Sequence, residues 1–181
     1  MSRAAGGDRA AQQAVIDRLF GRVRAICHRL VDNRADADDA AQASLLEVLL
    51  AARGYRGRSR LETWADRITV RTARRLVRNR SGWSSRVDSG TQGEALPSPQ
   101  PDRAGRERCP REPVDYLREL PEPQRTALVL RHVLEYSVEE IALETSTSPN
   151  TVKDRLLRAR HAVRKQIRRD QAVGVRRRAA S

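Results

Sequence analysis

Apolar residues recur every three or four positions along two stretches of this chain, and the recurrence stops between them. Over residues 11–31, Val15, Leu19, Val23, Ile26 and Leu30 keep one face of a helix apolar. A second helix is predicted from about Asp36 to Arg53. Asp36, Asp38 and Asp39 put carboxylates at the positive end of its dipole, and the run Leu45-Leu46-Glu47-Val48-Leu49-Leu50 makes it the expected best-buried helix of this half. Gly54 and Gly57 mark a loop over 54–59. A third helix is predicted from Leu61 to about Arg80, with Leu61, Trp64, Ile68, Thr72 and Leu76 on one face.

Residues 81–112 carry no periodic stripe and are rich in Ser, Gly, Pro and charge, the composition of a flexible linker. Helical signals return near Val114. Leu117 and Leu120 precede Pro121-Glu122-Pro123, which ends one helix and opens the next, and Ala127, Leu128, Leu130, Val133 and Leu134 extend that next helix to about Glu135. Ser137 followed three residues later by Glu140 is a capping box, and it predicts a short helix burying Val138, Ile141 and Ala142. After a polar turn over Thr145–Ser148, Ser148-Pro149 pairs a cap with proline at the first helical position. The helix so begun is expected to run to about Arg168 on a stripe of Val152, Leu156, Ala159 and Val163. Short helix, tight turn and longer helix make a helix-turn-helix. The expected fold class is therefore all-α: two small helical domains over 11–80 and 114–168, joined by a flexible linker over 81–113, with a basic tail over 169–181.

Charge sharpens this picture. The net charge is +13, which points to a polyanionic partner, nucleic acid or an anionic membrane. From Arg53 to Arg80 ten arginines face only Glu62 and Asp66, whereas an ordinary solvated face mixes its signs. Val114–Ser148 is net −4 and Pro149–Ser181 net +9, so the positive charge lies on the helix that would enter a groove. No apolar run reaches the roughly 20 residues of a membrane helix, and Met1–Gln13 has no apolar signal core, so membrane insertion is not expected and a cytoplasmic location is. Cys27 and Cys109 are too few for a disulfide framework; no metal site is expected, and Cys27 reads as a small buried hydrophobe. His28, His132 and His161 are widely spaced, with no phosphate loop or nucleophile motif, so neither an enzyme nor a cofactor is expected. The residues alone leave open a stand-alone helix-turn-helix regulator and a basic RNA- or nucleoid-binding protein.

Five strings carry a family resemblance. Asp36-Ala37-Asp38-Asp39-Ala40-Ala41-Gln42 resembles the acidic "DAED-x-x-Q" of sigma region two, and Thr63-Trp64-Ala65-Asp66-Arg67-Ile68 its "TWLxRI". Leu120-Pro121-Glu122-Pro123-Gln124-Arg125 resembles the "LPxxxR" opening of region four; Glu139-Glu140-Ile141-Ala142 and the stretch from Ser148 to Arg160 are similar to its "EEIA…SPGTVKSRLxRAR". In this order, at this length and with a loose linker between them, they resemble a bacterial RNA polymerase sigma factor of the extracytoplasmic-function (ECF) class. Departures are Ser146 where the family usually has glycine, Thr145 and Thr147 at apolar turn positions, Arg71 and Arg75 where Asn and Asp are frequent, and Asp154 in the last helix.

The resemblance implies three contacts and no catalysis. Asp36, Asp38, Asp39 and Gln42 would dock on core RNA polymerase. Arg56, Arg60, Thr63, Arg67, Arg71, Arg74, Arg75 and Arg78 would hold the minus-10 element of promoter DNA, with weak aromatic support, Trp64 reading mainly as core and Tyr55 left open. Asn150, Thr151, Lys153, Asp154, Arg155, Leu157 and Arg158 would meet the minus-35 element in the major groove. An anti-sigma factor is a further expected partner.

Overall fold

The computed structural model describes residues 1–80 and 110–179; the side chains of Arg80 and of residues 174–179 are outside this description. The expected linker, with Cys109, falls largely outside the described residues, as do the side chains of the basic run Arg176–Arg178. Among the described residues the regular elements are all helical: α1 (Ser2–Ala5), α2 (Arg9–Leu30), α3 (Arg34–Leu50) with a 3-10 turn over Ala51–Gly54, α4 (Leu61–Arg80), α5 (Pro113–Arg118), α6 (Glu122–His132), α7 (Val138–Thr145) and α8 (Pro149–Ala179). None of these helices is long and apolar enough to cross a membrane.

In the first half α2, α3 and α4 pack on one another. Asp8 caps α2 by accepting from the Ala11 amide at 3.0 Å, and Asn33 caps α3 by accepting from the Ala35 amide at 2.8 Å, two residues earlier than the acidic run alone predicts. The α2 stripe is buried as expected, joined by Cys27.

Two sequence expectations hold only in part here. The α3 face turned inward is Ala37, Ala40, Ala41, Ser44, Leu45 and Val48, whose small side chains allow close backbone approach, whereas Leu46 and Leu50 are 58% and 69% exposed. Thus α3 buries six of its 17 residues, a larger share than α2 or α4, as expected, but it does so mainly through its alanines and only partly through its leucine run. In α4 the most buried positions are Ala65, Asp66, Thr69, Val70, Thr72 and Ala73; Leu61, Trp64, Ile68 and Leu76 flank this seam half-buried. Helix α4 is rotated because small residues let it sit closer to α2 and α3 than the large ones would.

The second half is a helix-turn-helix domain closed by α5 and α6. Its core contains Tyr116, Leu120, Val129, Leu130, Tyr136, Ile141, Val152, Leu156 and Ala159. Helix α6 ends at His132 and Glu135 takes a positive φ of 60°, so Val133 and Leu134 belong to the following turn rather than to the helix. Helix α8 continues past Arg168 to Ala179. A clamp supports this extension: Arg111 pairs with Glu119 at 2.5 Å and Asp170 at 2.6 Å, with its guanidinium 4.6 Å from the Tyr116 ring centre. The two halves also meet. Helix α2 contacts α5 and α6, and the buried apolar residues of both halves form one contiguous cluster.

Candidate nucleic-acid interface

The turn between α7 and α8 is built from local chemistry. Ser137 Oγ accepts from the Glu140 amide at 3.1 Å, while Glu140 accepts from the Ser137 amide at 2.9 Å, the reciprocal capping box the sequence predicts. These bonds hold the Glu140 carboxyl below the usual carboxylate range. Ser146 closes α7 in the left-handed conformation, φ 53° and ψ 46°. Ser148 Oγ accepts from the Thr151 amide at 3.1 Å and starts α8. The result aims the first turns of α8 outward. Asn150, Lys153 and Asp154 are exposed; Thr151, Arg155, Leu157 and Arg158 are half-buried. Asp154 and Arg158, one turn apart, form an ion pair at 3.0 Å, so the acid answers a base on its own helix. Arg155 turns inward, and its Nε is buried with no hydrogen-bond partner.

Helix α4 and the loop before it carry the basic face. Arg56, Arg60, Thr63, Arg67, Arg71, Arg75 and Arg78 are exposed and Arg74 is half-buried. Several are engaged: Arg60 lies 3.9 Å from Glu62, Arg75 pairs with Glu47 at 2.8 Å, and Arg67 reaches Glu140 of α7 at 3.4 Å. Arg74 Nη1 donates to the Glu144 carbonyl at 2.5 Å. Tyr55 donates to the Ser59 carbonyl at 2.7 Å, and its ring lies 5.1 Å from that of Trp64 at 55°. Trp64 is half-buried against the core, so the two rings form a tilted pair at the edge of the basic face.

The acidic residues of α3 separate into two groups. Asp38 turns toward α2, accepting from Arg24 at 2.9 Å, with His28 Nε2 at 2.8 Å. His28, then Arg24, hold its carboxyl below the ordinary value. Asp36 and Asp39 instead line a cleft of about 500 Å³ with Val31, Asp32, Asn33, Ala40, Ala43, Leu76 and Val77. Gln42 is exposed on the same helix. The cleft has an acidic rim and an apolar floor, which suits a basic amphipathic helix. No group of His, Cys, Asp and Glu among the described residues could hold a metal ion.

Three contacts between helices had no local signal in the sequence. Arg22 of α2 forks onto the buried Asp66. Arg125 of α6 is 1% exposed, lies against Asp32 beyond α2, and has its pKa pulled down by burial. Glu140, legible as a cap, also serves the inter-half contact to Arg67.

Comparison with known proteins follows the same division. Residues 15–82 match the family described as Sigma-70 region 2, and residues 114–163 that described as Sigma-70, region 4. The RNA polymerase sigma-H factor of Pseudomonas aeruginosa is 30% identical over 176 residues, covering 92% of this chain and 91% of the relative. The ECF RNA polymerase sigma-E factor of Haemophilus influenzae is 27% identical over 177 residues, covering 92% and 93%. Among solved structures, a sigma factor from Bartonella quintana, in complex with an anti-sigma factor, shares the fold with a TM-score of 0.60 at 21% identity, covering 86% of this chain and 96% of that one.

Proposed function

The chain belongs to the sigma-70 family, in its ECF class, and so directs promoter-specific transcription with core RNA polymerase; from that premise we propose how its surfaces divide the work. Region two, over 11–80, takes the polymerase on α3 and the minus-10 DNA on α4. Region four, over 114–168, reads the minus-35 DNA with α8, and residues 81–113 tether the two.

The observation that carries this reading is the outward aim of α8. Its cap, its left-handed turn and its buried stripe present Asn150, Thr151, Lys153 and Leu157 on the helix half that enters a major groove. Arg158 reaches a guanine edge once it leaves Asp154, and Asp154 then accepts from a cytosine amino group. Arg155, turned inward, acts by packing. On α4 and the loop before it, Arg56, Arg60, Thr63, Arg71, Arg75 and Arg78 offer phosphate contacts from an exposed face, and each phosphate neutralised by an arginine releases counterions. Arg67 and Arg74 join them after leaving α7.

For docking, Asp36 and Asp39 supply the charge, and the cleft floor of Ala40, Ala43, Leu76 and Val77 supplies the apolar contact. Gln42 lies alongside, whereas Asp38 acts by holding α3 to α2. The work is non-enzymatic, needs no cofactor and takes place in the cytoplasm. The Bartonella relative is held by an anti-sigma factor, and an equivalent partner is proposed here. Reconstitution tests the whole reading: core polymerase, this protein and a genomic promoter library should yield transcripts with shared start-site motifs. Transcription no different from core enzyme alone refutes it.

A further inference from the structure

A second cleft, of about 530 Å³, opens where α2 meets α5, and none of its lining residues belongs to the proposed DNA or polymerase surfaces. Its floor is made of small residues. Gly21 and Ala25 lie one turn apart on α2, with Phe20 and Arg24 along one edge of that line and Arg29 along the other. Packing does not explain the glycine. Glycine weakens a helix interior, and a methyl group added at Gly21 would meet no atom within 4 Å. The missing side chain leaves the cleft its open floor. The walls are basic: Arg24, Arg29, Arg34 from the start of α3 and Arg118 from the end of α5 bring four guanidinium groups, and no carboxylate is among the lining residues. Asp38 accepts from Arg24 Nε at 2.9 Å, and Asp115 stands at a long 3.5 Å from Arg118 Nη1. Arg118 Nε is buried with no hydrogen-bond partner, and Arg34 is exposed with no ion pair among the described residues. Phe20, in the same lining, is 49% exposed.

We propose that this cleft binds a nucleoside polyphosphate, its phosphates held by Arg24, Arg34 and Arg118 and its base laid against Phe20 over the Gly21 floor. Guanidinium forks match phosphate oxygens two at a time, and four such groups answered by two carboxylates call for a multiply charged anion. The bond from Arg24 to Asp38 uses Nε and leaves the Nη nitrogens to the ligand. A phosphate oxygen also supplies the acceptor that Arg118 Nε lacks. The cleft lies within the roughly 300–1,000 Å³ of small-molecule sites and is larger than a lone phosphate fills. The exposed ring of Phe20, with Ala25 and Val114 in the same lining, offers an apolar face to a flat heterocycle.

Isothermal titration calorimetry of the full chain tests this, at about 0.15 M salt so that loose surface attraction is screened. ADP and GDP are each titrated, beside pyrophosphate and the two bare nucleosides. At least one nucleotide should bind at a single site, about tenfold tighter than pyrophosphate because its base stacks, and the nucleosides should give no heat. Arg34→Gln should weaken that binding about tenfold, the loss of one charge-assisted hydrogen bond. Arg9→Gln removes the same charge from an exposed position of α2 outside the cleft, and should change affinity less than about twofold. Phe20→Ala should weaken binding about fivefold, the low end for one base on an aromatic ring. Gly21→Met fills the floor with a good helix former, so binding should fall about tenfold while the unfolding midpoint is no lower than the parent's. Equal effects of the Arg34 and Arg9 substitutions, or pyrophosphate as tight as the nucleotides, overturns the proposal. So does undiminished binding to a folded Gly21→Met chain, or the absence of heat from the parent with both nucleotides.

Discussion

Arg22 and Asp66 form a two-pronged ion pair, Nε to Oδ1 and Nη2 to Oδ2, both at 2.7 Å, that bolts α2 to α4. Asp66 is 3% exposed in the pair, so its carboxylate relies on the guanidinium for most of its compensation. The bond also raises the Arg22 pKa above its ordinary value. Arg22→Ala is expected to lower unfolding stability by about 2 kcal/mol, since it leaves a buried carboxylate without its partner. Asp66→Asn should cost less, because its amide oxygen still accepts. Urea denaturation of both variants checks the order; an equal or reversed order contradicts it.

Ser146 is held at φ 53° and ψ 46°, a left-handed conformation that costs a side-chain-bearing residue. Ser146→Gly is expected to stabilise region four by about 0.5–1 kcal/mol, the relief left after glycine's greater unfolded-state freedom. A higher denaturation midpoint measures it, with no change in which promoters are chosen.

Two arginines on α8 should fail in different ways. Arg158, beside Asp154 in the groove-facing half, is expected to lose about 1–3 kcal/mol of discrimination at one minus-35 position when changed to Ala. Arg164, exposed further along the helix, should lose affinity evenly across promoter variants, with a salt slope shallower by about one. Binding titrations over single-base promoter variants at several salt concentrations distinguish the two.

The acid side of the stability profile depends on depressed carboxyls. Asp38 is held below its ordinary value of 3.8 by His28 and then Arg24. A depressed folded value means stability that is fully present above the unfolded value and lost as pH falls through the folded one. Asp38→Asn should therefore flatten the loss of stability below about pH 4, as followed by circular dichroism on acid titration.

Cys27 is fully buried beside Ser44, and burial pushes its thiol up to about 11. In a Cys109→Ser background, Cys27 is expected to resist alkylation at mildly alkaline pH until the protein unfolds. Rapid labelling of the folded protein would show that this core opens.

Local chemistry determined much of what the chain became. The capping box at Ser137 and Glu140, the cap at Ser148 and the bounds of α4 were legible because each depends on residues a few positions apart, and a capped turn has few alternatives. The strings that match sigma regions two and four were likewise readable in order. Tertiary structure decided which face of each helix turned inward. In α4 the arginines surround two candidate stripes, and close packing chose Ala65, Thr69 and Ala73 over the larger Leu61, Trp64 and Ile68. In α3 it chose alanines and left Leu46 and Leu50 outside. The pairings Arg22–Asp66, Arg125–Asp32 and Arg74–Glu144 join residues dozens of positions apart, and no periodicity encodes them. A charge seen along the chain states how many partners it needs; only the packed helices decide which partners those are.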